Sequence, residues 1–407
     1  MYVNHSNMGN ARFLFAVVIA LVSVAASTVG KWIPTALPCD FQAIYNFGDS
    51  NSDTGATSAA FWPTPRPYGV NFFGRPSGRN SDGRLLIDFI AEKLGLPYLS
   101  PYLDSIGTNF RHGANFATGV STIRRQNESI FENGISPFSL DIQTMQFLQF
   151  KSRTSELYHQ GEMIQFFLFP GSNIFLARTP FNRSKLPRPK DFSRSLYTFD
   201  IGQNDLTAGF RKLTMPQLRA EIPNIVDQFA AAVIRLYQQG ARAFWIHNTG
   251  PVGCLPAASM YIRTPNPDFF DKYGCVKSHN DIAVEFNKQL KSRVRLLRAE
   301  LPRASLIYVD IYSAKYQLIT NAKTYGFGDS MRICCGYHKR NVHVWCGQRQ
   351  MINGSMVFGG ARGSHARCVS WDGVHYSQAA NNWVANHVLY GSYSDPPMPL
   401  SRACLKR

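Results

Sequence analysis

The sequence predicts an α/β fold in which helices cover both faces of a parallel sheet of about five strands. Short runs of β-branched and aromatic residues alternate along the chain with longer segments whose apolar residues recur at helical spacing. In addition, 44% of the 407 residues are hydrophobic, so a single domain of this length can bury a large core. This alternation predicts a three-layer α/β/α sandwich, flavodoxin-like in style.

The predicted strands are apolar runs bounded by glycine, proline or short polar residues, namely 43–47, 109–117, 195–201, 243–246 and 305–310. The predicted helices carry apolar residues three and four positions apart, namely 85–94, 140–158, 222–237, 281–297 and 377–389. Because each helix returns the chain to the sheet, we expect the strands to run parallel and to end at one common edge.

Residues 1–29 are predicted to be a secretory signal peptide, with a cleavage point that the sequence defines only approximately. Arg12 precedes the apolar run 13–26, which is short for a membrane span and is followed by small residues. No later apolar stretch is long enough to cross a membrane. We therefore expect a secreted protein, extracellular or in a cell wall, with one folded domain over residues 40–404.

Eight cysteines and three glycosylation acceptors agree with an oxidising, secretory setting. The cysteines allow up to four disulfides, and the adjacent Cys334 and Cys335 are each expected to pair with a distant partner. Connectivity does not follow from the sequence. Asn127, Asn182 and Asn353 each begin an Asn-x-Ser triplet and are predicted glycosylation sites.

The chain is strongly basic, with 43 Lys and Arg against 26 Asp and Glu and a formal charge of +17. These charges are scattered, with no basic and aromatic stripe, which argues against a nucleic-acid partner. An anionic cell-wall polysaccharide or an acidic membrane surface is a more natural partner for a secreted protein. A basic surface with no dedicated partner remains an equal alternative.

The stretch 47–55 contains the first candidate site residue, Ser50. The predicted strand 43–47 ends just before Ser50, so Ser50 is expected at the carboxyl end of a strand. Open α/β sheets bind ligands at this edge. A small nucleophile-capable side chain between glycine and short polar residues is a candidate active centre. The alternative is an ordinary turn rich in Ser, Asp and Asn.

Asp372 and His375 form a second candidate cluster, three residues apart in the turn 371–375. At this spacing the carboxylate can accept the imidazole Nδ1–H, which fixes the tautomer and leaves Nε2 to take a proton from Ser50. The alternative is a turn whose aspartate only caps the helix that follows.

Four short blocks, in this order, carry a resemblance to a known family: 48–50, 114–119, 202–205 and 372–375. The chain resembles the plant GDSL esterase/lipase family of the SGNH hydrolase superfamily over nearly its whole mature length. The resemblance implies that Ser50 is the nucleophile. It also implies that the backbone N–H groups of Ser50 and Gly119 and the side-chain amide of Asn204 stabilise the developing oxyanion.

Other common catalytic signatures are missing from the sequence. The Gly-x-Ser-x-Gly elbow, the H-E-x-x-H metal motif and the glycine-rich nucleotide loops do not occur, and we expect neither a metal nor a cofactor.

Two segments depart from the family pattern. The apolar segment 162–181 is an extra element, either a lid over the site or an insertion that exposes apolar surface. The spacing around Cys368 is also unusual, and a displaced disulfide there would misplace the loop that carries His375.

Three functional classes follow from these observations. A secreted serine esterase or lipase acting on acyl lipids or acetylated cell-wall glycans accounts for all four blocks and is the first interpretation. A fucosidase-like glycosidase is the second, although that chemistry needs two opposed carboxylates and no compelling pair is evident. A catalytically silent wall-binding protein is the third.

Overall fold

The computed structural model describes residues 38–126, 136–166, 183–260, 266, 268–339, 342–363 and 365–406, with side chains of the helix 140–166 described through residue 159. Contacts group Cys39–Arg407 as one compact unit. The predicted signal peptide, the sequons at Asn127 and Asn182, and most of the segment 162–181 lie outside the described residues.

The strands of the described chain form one central sheet and two small hairpins. The strands are β1 (Ile44–Gly48), β2 (Gly113–Asn115), β3 (Leu196–Asp200), β4 (Ala243–His247), β5 (Ser305–Val309), β6 (Tyr337–Lys339), β7 (Val342–Val344), β8 (Arg349–Ile352), β9 (Ser355–Phe358) and β10 (Ser394–Asp395). The order across the central sheet is β10-β5-β4-β3-β1-β2. Strands β1 to β5 pair in parallel, and β10 adds an antiparallel edge.

The helices are α1 (Ala56–Ala60), α2 (Val70–Phe73), α3 (Leu86–Lys93), α4 (Leu140–Phe166), α5 (Gln203–Lys212), α6 (Met215–Gln238), α7 (Pro256–Ser259), α8 (Lys277–Glu300), α9 (Ile311–Thr320) and α10 (Gln378–Val388). Short 3₁₀ turns lie at Arg183–Lys185, Pro189–Arg194, Val252–Cys254, His365–Arg367 and Leu400–Arg402.

Two hydrophobic cores cover the two faces of the sheet. Tyr45 and Phe47 of β1 belong to the core that includes buried residues of α4, α6 and α8. Ile44 and Trp245 belong to the other core, together with buried residues of α3, α9 and α10. Neighbouring side chains of a strand point to opposite faces, so a strand that is apolar throughout serves both cores. The predicted three-layer α/β/α sandwich is thereby confirmed.

Several elements differ from their predicted bounds, and two of these differences have identifiable reasons. Strand β2 covers only Gly113–Asn115, because the chain before it turns and the N–H of Gly113 donates to Phe110 O at 3.0 Å. Helix α6 begins seven residues before its predicted start at 222, and Pro223 lies inside it. Its true start is a capping box, in which Thr214 and Gln217 bond reciprocally.

Four disulfides connect the eight cysteines: Cys39–Cys404, Cys254–Cys275, Cys334–Cys368 and Cys335–Cys346. Cys334 and Cys335 therefore pair with separate partners, as expected. None of the helices that the structure describes combines the length and the apolar character needed to span a bilayer.

The sheet order places a crevice between the carboxyl ends of β1 and β3. From β1 the chain goes to one side to form β2, and later returns on the other side as β3. This is the switch point at which doubly wound sheets bind ligands. The residues that follow β1 and β3 are therefore the ones best placed to form a site.

Candidate active site

Ser50 lies in a tight turn directly after β1. A Cβ at Gly48 would approach Ser52 Oγ to 2.3 Å and Asp200 O to 2.6 Å, so only glycine permits this exit from the strand. The N–H of Asp49 donates to Asp200 O at 3.1 Å, and Asp49 O accepts from the N–H of Ser52 at 3.1 Å. The turn therefore holds Ser50 at the carboxyl edge, as the sequence predicts.

The structure brings Ser50, His375 and Asp372 together. His375 Nε2 lies 2.8 Å from Ser50 Oγ, and His375 Nδ1 lies 2.7 Å from Asp372 Oδ2. Because the carboxylate accepts the proton on Nδ1, Nε2 is left to accept the hydroxyl hydrogen of Ser50. Three side chains separated by up to 325 positions thus form one continuous hydrogen-bonded chain.

The turn that carries Asp372 and His375 is held from both sides. Asp372 Oδ1 accepts from the N–H of His375 at 2.8 Å and from the N–H of Val374 at 3.0 Å. The N–H of Trp371 donates to His375 O at 2.8 Å, and Trp371 O accepts from the N–H of Cys335 at 2.7 Å. Despite its unusual spacing, the segment before this turn is anchored by a disulfide between Cys368 and Cys334.

Tyr68 is a site residue that the sequence analysis missed. Its hydroxyl donates to Asp372 Oδ2 at 2.8 Å, the same oxygen that His375 contacts. Removal from water and the negative charge of Asp372 raise the pKa of Tyr68 well above its usual value, so the phenol stays protonated and remains a donor. No local pattern could reveal this contact, because 304 positions separate the two residues.

The Asp372–His375 pair shifts both of its own pKa values. Burial would raise the pKa of Asp372, but the charge of His375 and hydrogen bonds from His375 and Val374 outweigh it and lower that pKa. Burial would lower the pKa of His375, but the charge and hydrogen bond of Asp372, assisted by Asp49, raise it above its usual value. The pair therefore favours an imidazolium beside a carboxylate.

Gly119 does not offer its N–H to the crevice, contrary to the expectation from the resemblance. This N–H donates to Asp53 Oδ2 at 2.9 Å and to Thr57 Oγ1 at 2.8 Å. A Cβ at Gly119 would lie 2.7 Å from Thr57 Oγ1, so glycine is required for this inward contact. The neighbouring Val120 is partly exposed and has a φ of 56°. Within the described residues, its N–H and that of Ser50 have no hydrogen-bond partner.

Asn204 occupies the first turn of α5, beside the loop after β2. Its Nδ2 donates to Ser121 O at 2.9 Å, which leaves the second amide hydrogen available. The adjacent Asp205 accepts from the N–H of Ile123 at 2.8 Å and of Arg124 at 3.2 Å. Burial raises the pKa of Asp205 to about 7. The start of α5 thus fixes the loop that follows β2.

No group of three or more His, Cys, Asp or Glu suited to a metal ion occurs in the part of the chain that the structure describes. The expectation that the reaction needs no metal or cofactor stays a prediction. Asn353, the predicted glycosylation site that is described, lies exposed in the turn between β8 and β9. Its modification also stays a prediction.

Comparison with known proteins gives a consistent family. The family described as GDSL-like Lipase/Acylhydrolase matches residues 44–388. A GDSL esterase/lipase of Arabidopsis thaliana is 53% identical over 395 residues, covering 94% of this chain and 97% of its own. An esterase of Hevea brasiliensis is 45% identical, covering 90% of each chain. A protein named Alpha-L-fucosidase 3, from Arabidopsis thaliana, is 45% identical, covering 91% of this chain and 93% of its own.

Replacing Tyr68 by Phe tests the contact that the sequence did not reveal. With one donor lost, the Asp372 carboxylate attracts the imidazolium of His375 more strongly, so the acid limb of the activity profile should move to higher pH. We expect a shift of up to about one pH unit, since a hydrogen bond to a charged group contributes about 1.5 kcal/mol. The pH dependence of kcat/KM measures it, with the exposed Tyr390→Phe as control. An unmoved limb would contradict the assigned contact.

Proposed function

The chain belongs to the GDSL-like lipase/acylhydrolase family and is an ester-bond hydrolase, and on that premise we propose that it cleaves carboxylic esters through an acyl-enzyme on Ser50. The observation that carries this proposal is the hydrogen-bonded chain from Ser50 Oγ through His375 to Asp372, with distances of 2.8 and 2.7 Å. It lies at the sheet edge where a substrate can enter.

In the proposed reaction, Ser50 Oγ attacks the ester carbonyl carbon while His375 Nε2 takes the hydroxyl proton. The resulting tetrahedral intermediate collapses as the alcohol leaves with the proton held by His375. Water then gives a proton to His375 and attacks the acyl-enzyme, and collapse of the second intermediate returns that proton to Ser50 and releases the acid. Throughout, Asp372 holds the imidazole in one tautomer and stabilises its cationic form.

We propose that the oxyanion is bound by three donors at the crevice: the N–H groups of Ser50 and Val120 and the second amide hydrogen of Asn204. Val120 takes the place that the resemblance assigned to Gly119, whose N–H is already used by Asp53 and Thr57. An oxyanion hole needs donors that are unoccupied before the charge develops. This requirement favours Val120 over Gly119.

The substrates proposed here are carboxylic esters, either of acyl lipids or of acetylated cell-wall glycans. The N–H of Phe61 bonds to Thr57 O at 3.0 Å, so the helix beside Gly119 ends in an aromatic group. The rings of Phe61 and Trp62 lie 5.7 Å apart, and those of Phe61 and Phe138 lie 5.9 Å apart. This group supports contact with apolar acyl chains.

An extracellular setting is part of the proposal. The predicted signal peptide supports it, and so do the four disulfides, which are typical of proteins that fold in an oxidising compartment. The charge of +17 would favour association with an anionic polysaccharide there.

The glycosidase alternative is favoured by the name of one relative but not by the carboxylates around Ser50. A glycosidase needs two carboxyl groups facing the bond that is cleaved. Asp49, Asp53, Asp200 and Asp372 are all buried, and each already accepts a hydrogen bond from the protein. A silent wall-binding protein would have no need for the Ser50–His375 contact. We therefore retain the esterase as the proposal.

Ser50→Ala should abolish ester hydrolysis, because the nucleophile is removed while the turn around it keeps its backbone contacts. The unmodified protein and Ser50→Ala are assayed on a panel of p-nitrophenyl esters and on p-nitrophenyl fucoside. Labelling of each by a serine-reactive phosphonate is measured as well. The exposed Ser105→Ala serves as the matched control and should be labelled normally. Labelling of the Ser50→Ala protein, or fucoside cleavage without ester cleavage, would refute the proposal.

The pH profile tests the proton acceptor. Since the pKa of His375 is raised, activity should increase with pH through an apparent pKa above about 6.5. Asp372→Asn removes the largest influence raising that pKa, so the acid limb should move to lower pH while kcat falls by about 10⁴. Measurements of kcat and kcat/KM from about pH 4 to 9 decide this, with the exposed Asp104→Asn as control. A flat profile for the unmodified protein would exclude His375 as the base.

A further inference from the structure

A cluster of buried ionisable side chains lies behind Ser50 and has no part in the reaction described above. It consists of Asp49, Asp200, His247 and Lys315, whose exposed fractions are 1%, 9%, 3% and 6%. They come from the carboxyl ends of β1, β3 and β4 and from α9. Charged groups at this depth are rare unless they are compensated, so their convergence beside a nucleophile calls for a role.

The two carboxylates of this cluster are held differently. Asp200 Oδ2 lies 3.2 Å from His247 Nδ1. Asp49 Oδ1 accepts from the N–H of Asn51 at 2.9 Å, but Asp49 Oδ2 is buried and has no hydrogen-bond partner among the described residues. Burial and the charge of Asp200 together raise the pKa of Asp49 to about 7. The carboxyl group of Asp49 therefore takes up a proton more readily than an ordinary aspartate does.

Lys315 brings the positive charge to this cluster. Its Nζ lies 4.5 Å from the ring centroid of Tyr376, the residue after His375. Its stem packs on the loop after β4, where a Cβ at Gly250 would lie 3.1 Å from Lys315 Cδ. No carboxylate of the described chain lies within 4.0 Å of the ammonium group. Lys315 therefore forms no direct salt bridge with a described carboxylate, and its charge can act on its neighbours only through space.

The charges of this cluster act on His375 in opposite directions. The negative charge of Asp49 favours the imidazolium, as does that of Asp372, while the positive charge of Lys315 disfavours it. Burial lowers the pKa of Lys315 itself, and the charges of Asp200 and Asp49 oppose that effect. Asp372, Asp49 and Lys315 are the charged groups that act most strongly on the imidazole.

We propose that Lys315 is a positioning residue for ester hydrolysis, whose buried ammonium group beside Tyr376 offsets the negative charges of Asp49 and Asp200 and acts through space on the imidazole of His375. This inference rests on the proposed role of the Ser50–His375–Asp372 chain. It gives a role to a buried lysine that lies in a tight space without a contacting carboxylate among the described residues. It also adds the charges of Asp49, Asp200 and Lys315 to the groups that act on the reaction.

A single replacement of Lys315 would be ambiguous, because Asp49 would take up a proton and hide the lost charge. The informative comparison is therefore made in an Asp49→Asn background, in which that response is removed. Lys315→Met keeps most of the stem length and removes only the ammonium group. The exposed Lys323→Met, which follows the same helix, is the matched control.

The experiment measures kcat/KM against pH for the unmodified protein, Asp49→Asn, Asp49→Asn with Lys315→Met, and Lys323→Met. Asp49→Asn should move the acid limb to lower pH, and adding Lys315→Met should move it back up by about half a pH unit or more. Lys323→Met should leave it in place. Coinciding acid limbs for Asp49→Asn and the double variant, both folded by circular dichroism, would overturn the proposal.

Folding and the underlying mechanism are checked separately. If Asp49→Asn with Lys315→Met does not fold, Asp49→Asn with Lys315→Gln replaces it. Its acid limb is then compared with that of Asp49→Asn in the same way. Failure of both double variants to fold, while Asp49→Asn folds, would also overturn the proposal, because Lys315 would then have a purely structural role. Activity retained by Ser50→Ala would instead reject the proposed function, so the two failures are distinguishable.

Discussion

The hydrogen bond between His375 Nδ1 and Asp372 Oδ2 is the interaction on which the proposed chemistry depends, because it decides which ring nitrogen faces Ser50. A turn of three residues cannot hold this geometry alone. The Cys334–Cys368 disulfide, the backbone contacts of Trp371 and the phenol of Tyr68 hold it in place. The irregular segment before Asp372 therefore helps to position the imidazole of His375, through the Cys334–Cys368 disulfide and the backbone contacts of Trp371.

Buried carboxylates organise the rest of the crevice. Asp53 accepts from the N–H groups of Gly55, Ala56, Thr57 and Gly119, which joins the loop after β1 to the loop after β2. Asp205 joins that second loop to α5 in the same way. A buried carboxylate is tolerated when several donors surround it, and breaking such a network costs more than one ordinary hydrogen bond. These aspartates explain how the loops after β1 and β2 and the start of α5 are held together at the crevice.

The sequence predicted the features that depend on local patterns. Five parallel strands followed from apolar runs. Ser50, Asp372 and His375 became candidates from a strand end and a spacing of three, and the family resemblance implied the role of Ser50 as nucleophile. The edge strand β10 has only two residues, too few to show a period. Tyr68 contacts Asp372 and Lys315 packs beside Tyr376, and no local pattern records contacts between residues so far apart in the sequence. The sequence also could not show that Val120, and not Gly119, is the better candidate for an oxyanion donor. A difference of one residue in a turn decides which N–H points inward.

The structure of a phosphonate adduct tests the central claim most directly, since its phosphoryl oxygen occupies the place of the oxyanion. We predict phosphorus bonded to Ser50 Oγ, with that oxygen about 3 Å from the backbone nitrogens of Ser50 and Val120 and from Asn204 Nδ2. His375 should remain within hydrogen-bond distance of the site. Phosphorus on another residue, or an oxygen bound by the N–H of Gly119, would contradict this account of the site.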